Sequence, residues 1–128
     1  MLANSKAFSG FAVSDLDQAR QFYGETLGLE LEVLDPEHGL LTLHLAGGLD
    51  VLAYLSPGMT PPSYTILNFE VDDIDVAVDG LGARGVSFEQ YGSPELPQDE
   101  KGVMREGGPL IAWFKDPAGN TLSLLQER

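Results

Sequence analysis

Phe11-Ala12-Val13-Ser14-Asp15-Leu16-Asp17 and Phe69-Glu70-Val71-Asp72-Asp73-Ile74-Asp75 are two versions of one phrase. They stand 58 residues apart (69 − 11 = 58), and Ala19 meets Ala77 at the same offset. Self-similarity at a fixed offset means that one supersecondary unit is used twice. In each copy a short apolar run reads as a strand, and a carboxylate then precedes a helical pattern. Asp15 and Asp73 are placed as N-caps, where a short acidic side chain accepts from the free N–H groups of the first turn. Leu16, Ala19, Tyr23 and Leu27 recur at helical spacing, as do Ile74, Ala77, Val78 and Leu81. Gly28 and Gly85 supply the stops, since glycine adopts positive φ at least cost.

Working outward, the later segments alternate as half-buried strands do. Leu41, Leu43 and Leu45 stand against Thr42 and His44, and Leu122 and Leu124 against Thr121 and Ser123. The expectation is an α+β chain of two βαβββ repeats, about 7–56 and 64–126, joined by a Pro- and Gly-rich linker over 57–63. A stretch from about Glu89 to Pro109 is longer than most loops in a compact domain. Its reading stays open between a lid and a surface excursion.

Composition narrows the function classes. With 128 residues, 43% hydrophobic and 21% charged, the chain suits one small globular domain. No apolar run approaches a bilayer span, so no membrane partner is expected. Met1–Lys6 lacks an apolar targeting core, and a cytoplasmic location is the default expectation. The absence of cysteine rules out disulfides, thiolate metal sites and a cysteine nucleophile. Twenty acidic against seven basic residues give a net charge of −13, which repels a phosphate backbone and argues against nucleic acid as a partner.

On these residues the chain resembles the vicinal oxygen chelate superfamily, which includes glyoxalase I, bleomycin-resistance proteins, fosfomycin-resistance enzymes and extradiol dioxygenases. The resemblance rests on Val13-Ser14-Asp15-Leu16-Asp17, Phe22-Tyr23, Leu27-Gly28-Leu29, Val71-Asp72-Asp73-Ile74 and Asp116-Pro117-Ala118-Gly119-Asn120, and it spans nearly all of 7–126. It implies a curved mixed sheet that forms a cleft, and a homodimer. In metal-dependent members, His, Gln or Glu side chains at matching points of the two halves hold a divalent ion. The resemblance puts those points here at Phe8, Ile66, Ser123 and Ala53. Phenylalanine, isoleucine and alanine have no donor atoms, and a lone serine hydroxyl binds such ions weakly. No metal and no other cofactor is therefore expected.

Strand alternation assigns the faces independently. Leu67, Phe69 and Val71 should pack on the helix, leaving Ile66, Asn68 and Glu70 toward the cleft. In the first repeat, Ser9, Phe11 and Val13 should face the helix and Phe8, Gly10 and Ala12 the cleft. The expected ligand-binding set is Phe8, His44, Ala53, Ile66, Asn68, Glu70, Trp113 and Ser123. Trp113 offers an indole for stacking on a planar ligand, with core or interface packing as its alternative. Glu70 would serve as a general base only if burial raised its pKa, and no catalytic residue is assigned.

These expectations lead to a metal-free protein that binds a small neutral or cationic molecule with a planar apolar part, sequestering or carrying it. The competing reading is a metal-dependent lyase, isomerase or dioxygenase with His44 and Glu70 as its only plausible donors. A third is a protein-interaction role with a vestigial cleft.

Overall fold

The structure is a computed structural model describing all 128 residues, Met1–Arg128. It divides into two compact units, Met1–Thr60 and Pro61–Arg128. No helix is long and apolar enough to cross a membrane.

The first unit runs β1 (Ser9–Val13), α1 (Leu16–Arg20), a π-helical turn (Gln21–Thr26), β2 (Glu30–Asp35), β3 (Leu40–Leu45) and β4 (Leu49–Leu55). Asp15 starts α1, its carboxylate accepting from the Gln18 N–H at 2.9 Å. The strands form one sheet in the order β1-β4-β3-β2, with β1 parallel to β4 and the other pairs antiparallel. Register places Phe11 opposite Ala53 and Ala53 opposite Leu41. The Phe11 ring meets Tyr23 of the π-helical turn at 5.5 Å, which identifies this face as the one the helix covers. Phe11, Val13, Leu41, Leu43, Val51 and Ala53 are all buried on it. The opposite face carries Gly10, Ala12, Thr42, His44, Leu52 and Tyr54.

The second unit runs β5 (Thr65–Glu70), α2 (Ile74–Ala83), β6 (Leu110–Lys115) and β7 (Thr121–Gln126). Asp73 caps α2 through the N–H groups of Asp75 and Val76, at 3.0 and 3.2 Å. Its sheet has the order β5-β7-β6, with β5 parallel and β6 antiparallel to β7. The Ile74 N–H donates to Gln126 Oε1 at 2.8 Å, so α2 begins on the Leu122–Leu124–Gln126 face. Leu122, Leu124, Ala112 and Phe114 are buried there.

Both units are thus mixed α+β, as expected, but they are not equal. In the first, three strands follow the helix. In the second, the first of those three is replaced by isolated bridges, of which Phe88 to Phe114 and Met104 to Ile111 lie beside β6. Pro94 and Pro97 interrupt the segment and lack N–H groups for a ladder. Side chains supply many of the bonds there, beside scattered backbone pairs such as the Glu89 N–H to the Trp113 carbonyl.

Candidate functional site

The side of the second sheet turned away from α2 brings three of the expected residues into one row. Trp113 on β6 lies opposite Ser123 on β7, and Ser123 lies opposite Asn68 on β5. The buried Ser123 hydroxyl donates to Asn68 Oδ1 at 2.5 Å. One row along, Ile111, Leu125 and Glu70 are paired, and Glu70 is exposed. On the other side of the Trp113 row stands exposed Lys115, opposite Thr121. The face is a patch of indole, hydroxyl and carboxamide, with one carboxylate and one ammonium at its ends.

The remaining expected residues are not in this row. Ile66 is half-buried, but the register passes over it: Thr65 opposes Thr121 and Leu67 opposes Leu122. This irregularity breaks the strict alternation that would have set Ile66 beside Asn68. Phe8 precedes β1 and is 72% exposed. His44 does lie on the face of the first sheet away from its helix, held by its neighbours. Its Nδ1 is 2.8 Å from Asp50 and its Nε2 is 3.6 Å from Glu32. The hydrogen bond to Asp50 raises the imidazole pKa above its ordinary value, assisted by the charges of Asp50 and Glu30.

Ala53 requires a correction. It is fully buried on the helix-covered face, opposite Phe11. Ser123 opposes Asn68, and the residue standing in that relation to Gly10 in the first unit is Leu52. The assignment was one residue out of phase, and in a strand one residue is the difference between the two faces.

A divalent ion finds no donor set at these points. Phe8, Ile66, Leu52 and Ala53 offer no lone pair outside the backbone, and the Ser123 hydroxyl is bonded to Asn68. No group of three or more His, Asp or Glu side chains is arranged to hold a metal ion anywhere in the chain.

Two features escaped the sequence reading. First, the segment after α2 brings Tyr91 against Trp113, ring centroids 5.6 Å apart and planes at 65°. Burial, and then the charge of Glu89, push the Tyr91 phenol above its ordinary pKa. Second, the same segment is tied to α2 by ion pairs. Asp75 Oδ1 accepts from Lys101 Nζ at 2.9 Å and from Arg105 at 2.7 Å, and Asp79 is 3.0 Å from Lys101. Arg105 also reaches Asp99 at 2.8 Å. Arg105 and then Lys101 hold the Asp75 carboxyl at a pKa of about 2. The two cations of the loop are therefore committed internally. The available signal was weak: an isolated tyrosine and two cations within a non-periodic, proline-rich stretch.

The first unit has a hollow of about 380 Å³ beside the start of α1, lined by Asp15, Asp17, Arg20, Val33 and Leu55 among others. It includes none of the expected ligand-binding residues.

The profile of the Glyoxalase/Bleomycin resistance protein/Dioxygenase superfamily matches residues 7–124. The chain belongs to that superfamily. Among solved structures it is similar to TnmS3, an antibiotic binding protein from Streptomyces sp. CB03234, at 29% identity over 98% of each chain and a TM-score of 0.70. A superfamily member from Sphaerobacter thermophilus DSM 20745 is 30% identical, over 95% of this chain and 98% of that one, with a TM-score of 0.69. The fosfomycin resistance protein FosX from Listeria monocytogenes shares the fold, with a TM-score of 0.72 at 15% identity over 98% of this chain and 92% of that one. Curated protein sequences contain no significant match.

Proposed function

We propose that this superfamily member binds a small molecule without a metal ion, and that the ligand is neutral or cationic with a planar apolar part. The observation carrying the reading is the Trp113–Ser123–Asn68 row, which sets an aromatic side chain beside the Asn68 carboxamide, itself held by the buried Ser123 hydroxyl, and has no ionisable side chain of its own. Small-ligand sites generally combine apolar wall with a few converging polar groups. The similarity to an antibiotic binding protein supports the same reading. So does the net charge of −13, with Lys101 and Arg105 already paired to aspartates. An anion on this face would have only Lys115 nearby, and a desolvated charge without a partner is costly.

The chain acts as a homodimer in this proposal. Tyr54 and Leu34 are exposed large apolar groups on strands of the first sheet, and a second copy would remove such surface from water. Sedimentation should give a mass above the 13.8 kDa of one chain at micromolar concentration, and a single-chain mass there would overturn the dimer.

The ligand reading is tested by titrating Trp113 emission with matched anionic, neutral and cationic aromatics at two salt concentrations. Saturable quenching by the neutral and cationic members is expected. Preference for the anionic set would overturn the proposal. Elemental analysis after dialysis should find far less than one transition-metal ion per chain, and a stoichiometric ion would favour a metal-dependent enzyme instead.

A further inference from the structure

The loop between α2 and β6 passes Tyr91 beside Trp113, and the approach is built by specific bonds. The Glu89 N–H donates to the Trp113 carbonyl at 2.8 Å, tying the loop to β6 two residues before Tyr91. One carboxamide then fixes the turn: Gln98 Oε1 accepts from the Tyr91 N–H at 2.9 Å, while its Nε2 donates to the carbonyls of Glu89 at 2.9 Å and Gly102 at 2.8 Å. Gln90 adds bonds to the carbonyls of Asp99 and Glu100 at 3.0 and 3.3 Å. Beyond them Val103 is fully buried. Yet Tyr91, its ring set edge-on to the indole, stays 44% exposed as a residue.

A ring held this firmly at its backbone while remaining open to solvent is arranged for contact. Two aromatic planes at 65° form a corner. A planar ligand stacked on one plane presents its edge to the other, and both arrangements are favourable for aromatic rings. We propose that Tyr91 is a specificity-determining residue, which selects planar ligands by closing the second side of the Trp113 platform. The proposal rests on the binding reading above and adds to it the shape of the ligand. A non-planar cation of equal charge gains from the acidic surface but cannot fill the corner.

The test uses the full chain and two probes, proflavine as a planar cation and cyclohexylammonium as a non-planar one. Wild type, Tyr91→Phe, Tyr91→Leu, Tyr91→Ala and Trp113→Phe are compared by calorimetry, with circular dichroism to check folding. Proflavine should bind wild type and Tyr91→Phe within twofold of each other. It should bind Tyr91→Leu and Tyr91→Ala about tenfold more weakly, the equivalent of one lost aromatic contact. Cyclohexylammonium should bind all the Tyr91 variants alike. Undiminished proflavine affinity in Tyr91→Ala, with a loss in Trp113→Phe, would overturn the role of Tyr91 and leave the binding reading intact. Full recovery in Tyr91→Leu would replace aromatic selection by simple bulk and overturn it as well. Failure of wild type to bind proflavine saturably would overturn both. If Tyr91→Ala does not fold, the Phe and Leu variants decide the matter between them.

Discussion

After Gly28 the first unit continues into β2, and after Gly85 the second continues into the segment that ends at β6. The two stretches occupy the same position in the repeat and are held by different chemistry. β2 pairs with β3 from Glu30 opposite His44 to Asp35 opposite Leu40, so the backbone itself supplies the bonds. The later segment has three isolated bridges, and otherwise depends on Gln90, Gln98, Asp99, Lys101 and Arg105. A ladder tolerates changes of side chain, because its bonds belong to the main chain. A loop latched by side chains is open to change one residue at a time, and it stands beside the aromatic corner. Binding residues generally concentrate on loops carried by a rigid scaffold, and in this chain the laddered stretch is of the scaffold kind and the side-chain-latched stretch of the loop kind.

The largest expected effect lies on the laddered side. Leu43 is fully buried on β3, opposite Leu31 and Val51. Leu43→Ala should lower unfolding stability by about 3 kcal/mol in chemical denaturation, through lost burial and a residual cavity, equally at low and high salt. A strong salt dependence would mean that the first unit too relies on ionic contacts.

Asp75→Asn should act on the other side, through the latch. Limited proteolysis within residues 89–109 is expected to quicken several-fold in the variant, and wild type should approach that rate in about 1 M salt, where screening shortens to roughly 3 Å. The pH dependence has a definite sign. The folded Asp75 pKa of about 2 lies below the ordinary 3.8, so its contribution is complete above the ordinary value and is lost as pH falls through the folded one. Wild type and Asp75→Asn should therefore converge in stability between about pH 4 and about pH 2.

The smallest effect is expected at His44. Its pKa is raised in the folded chain by the Asp50 hydrogen bond. The contribution is then complete below the unfolded value near 6.5 and disappears as pH rises through the folded value. The melting temperature of His44→Gln should lie below that of wild type at about pH 5.5 and match it at about pH 8.5. A constant difference across that range would assign His44 a packing role rather than an ionic one.

These contrasts also explain what the amino-acid order made legible. The two aspartate caps, the buried faces of β1 and β3, and the common face of Asn68 and Ser123 all follow from local rules of spacing, whereas β7, expected to be half-buried, has both faces buried over Thr121–Leu124. Ala53 was misplaced because a strand's period of two gives no warning of a one-residue error. Ile66 was expected beside Asn68 for a related reason, since a register irregularity carries no signature in composition. Tyr91 and Gln98 were invisible because their positions depend on side-chain bonds spanning several residues of irregular backbone. No periodicity encodes such bonds.

The π-helical turn at Gln21–Thr26 has a consequence for the repeat. Asp15 and Asp73 differ by 73 − 15 = 58 positions, whereas Gly28 and Gly85 differ by 85 − 28 = 57. The first helix is thus one residue longer between its cap and its stop, and a π-turn is how a helix stores a single surplus residue without turning the following strand over. The surplus sits where Gly24 nestles against Leu31, a position at which an added Cβ would come within 2.8 Å of that side chain. Without that residue the helical stretch Leu16–Thr26 would have the ten residues of α2, Ile74–Ala83. The two helical segments, aligned on their aspartate caps, thus differ by one residue, and the π-turn is where the first takes it up.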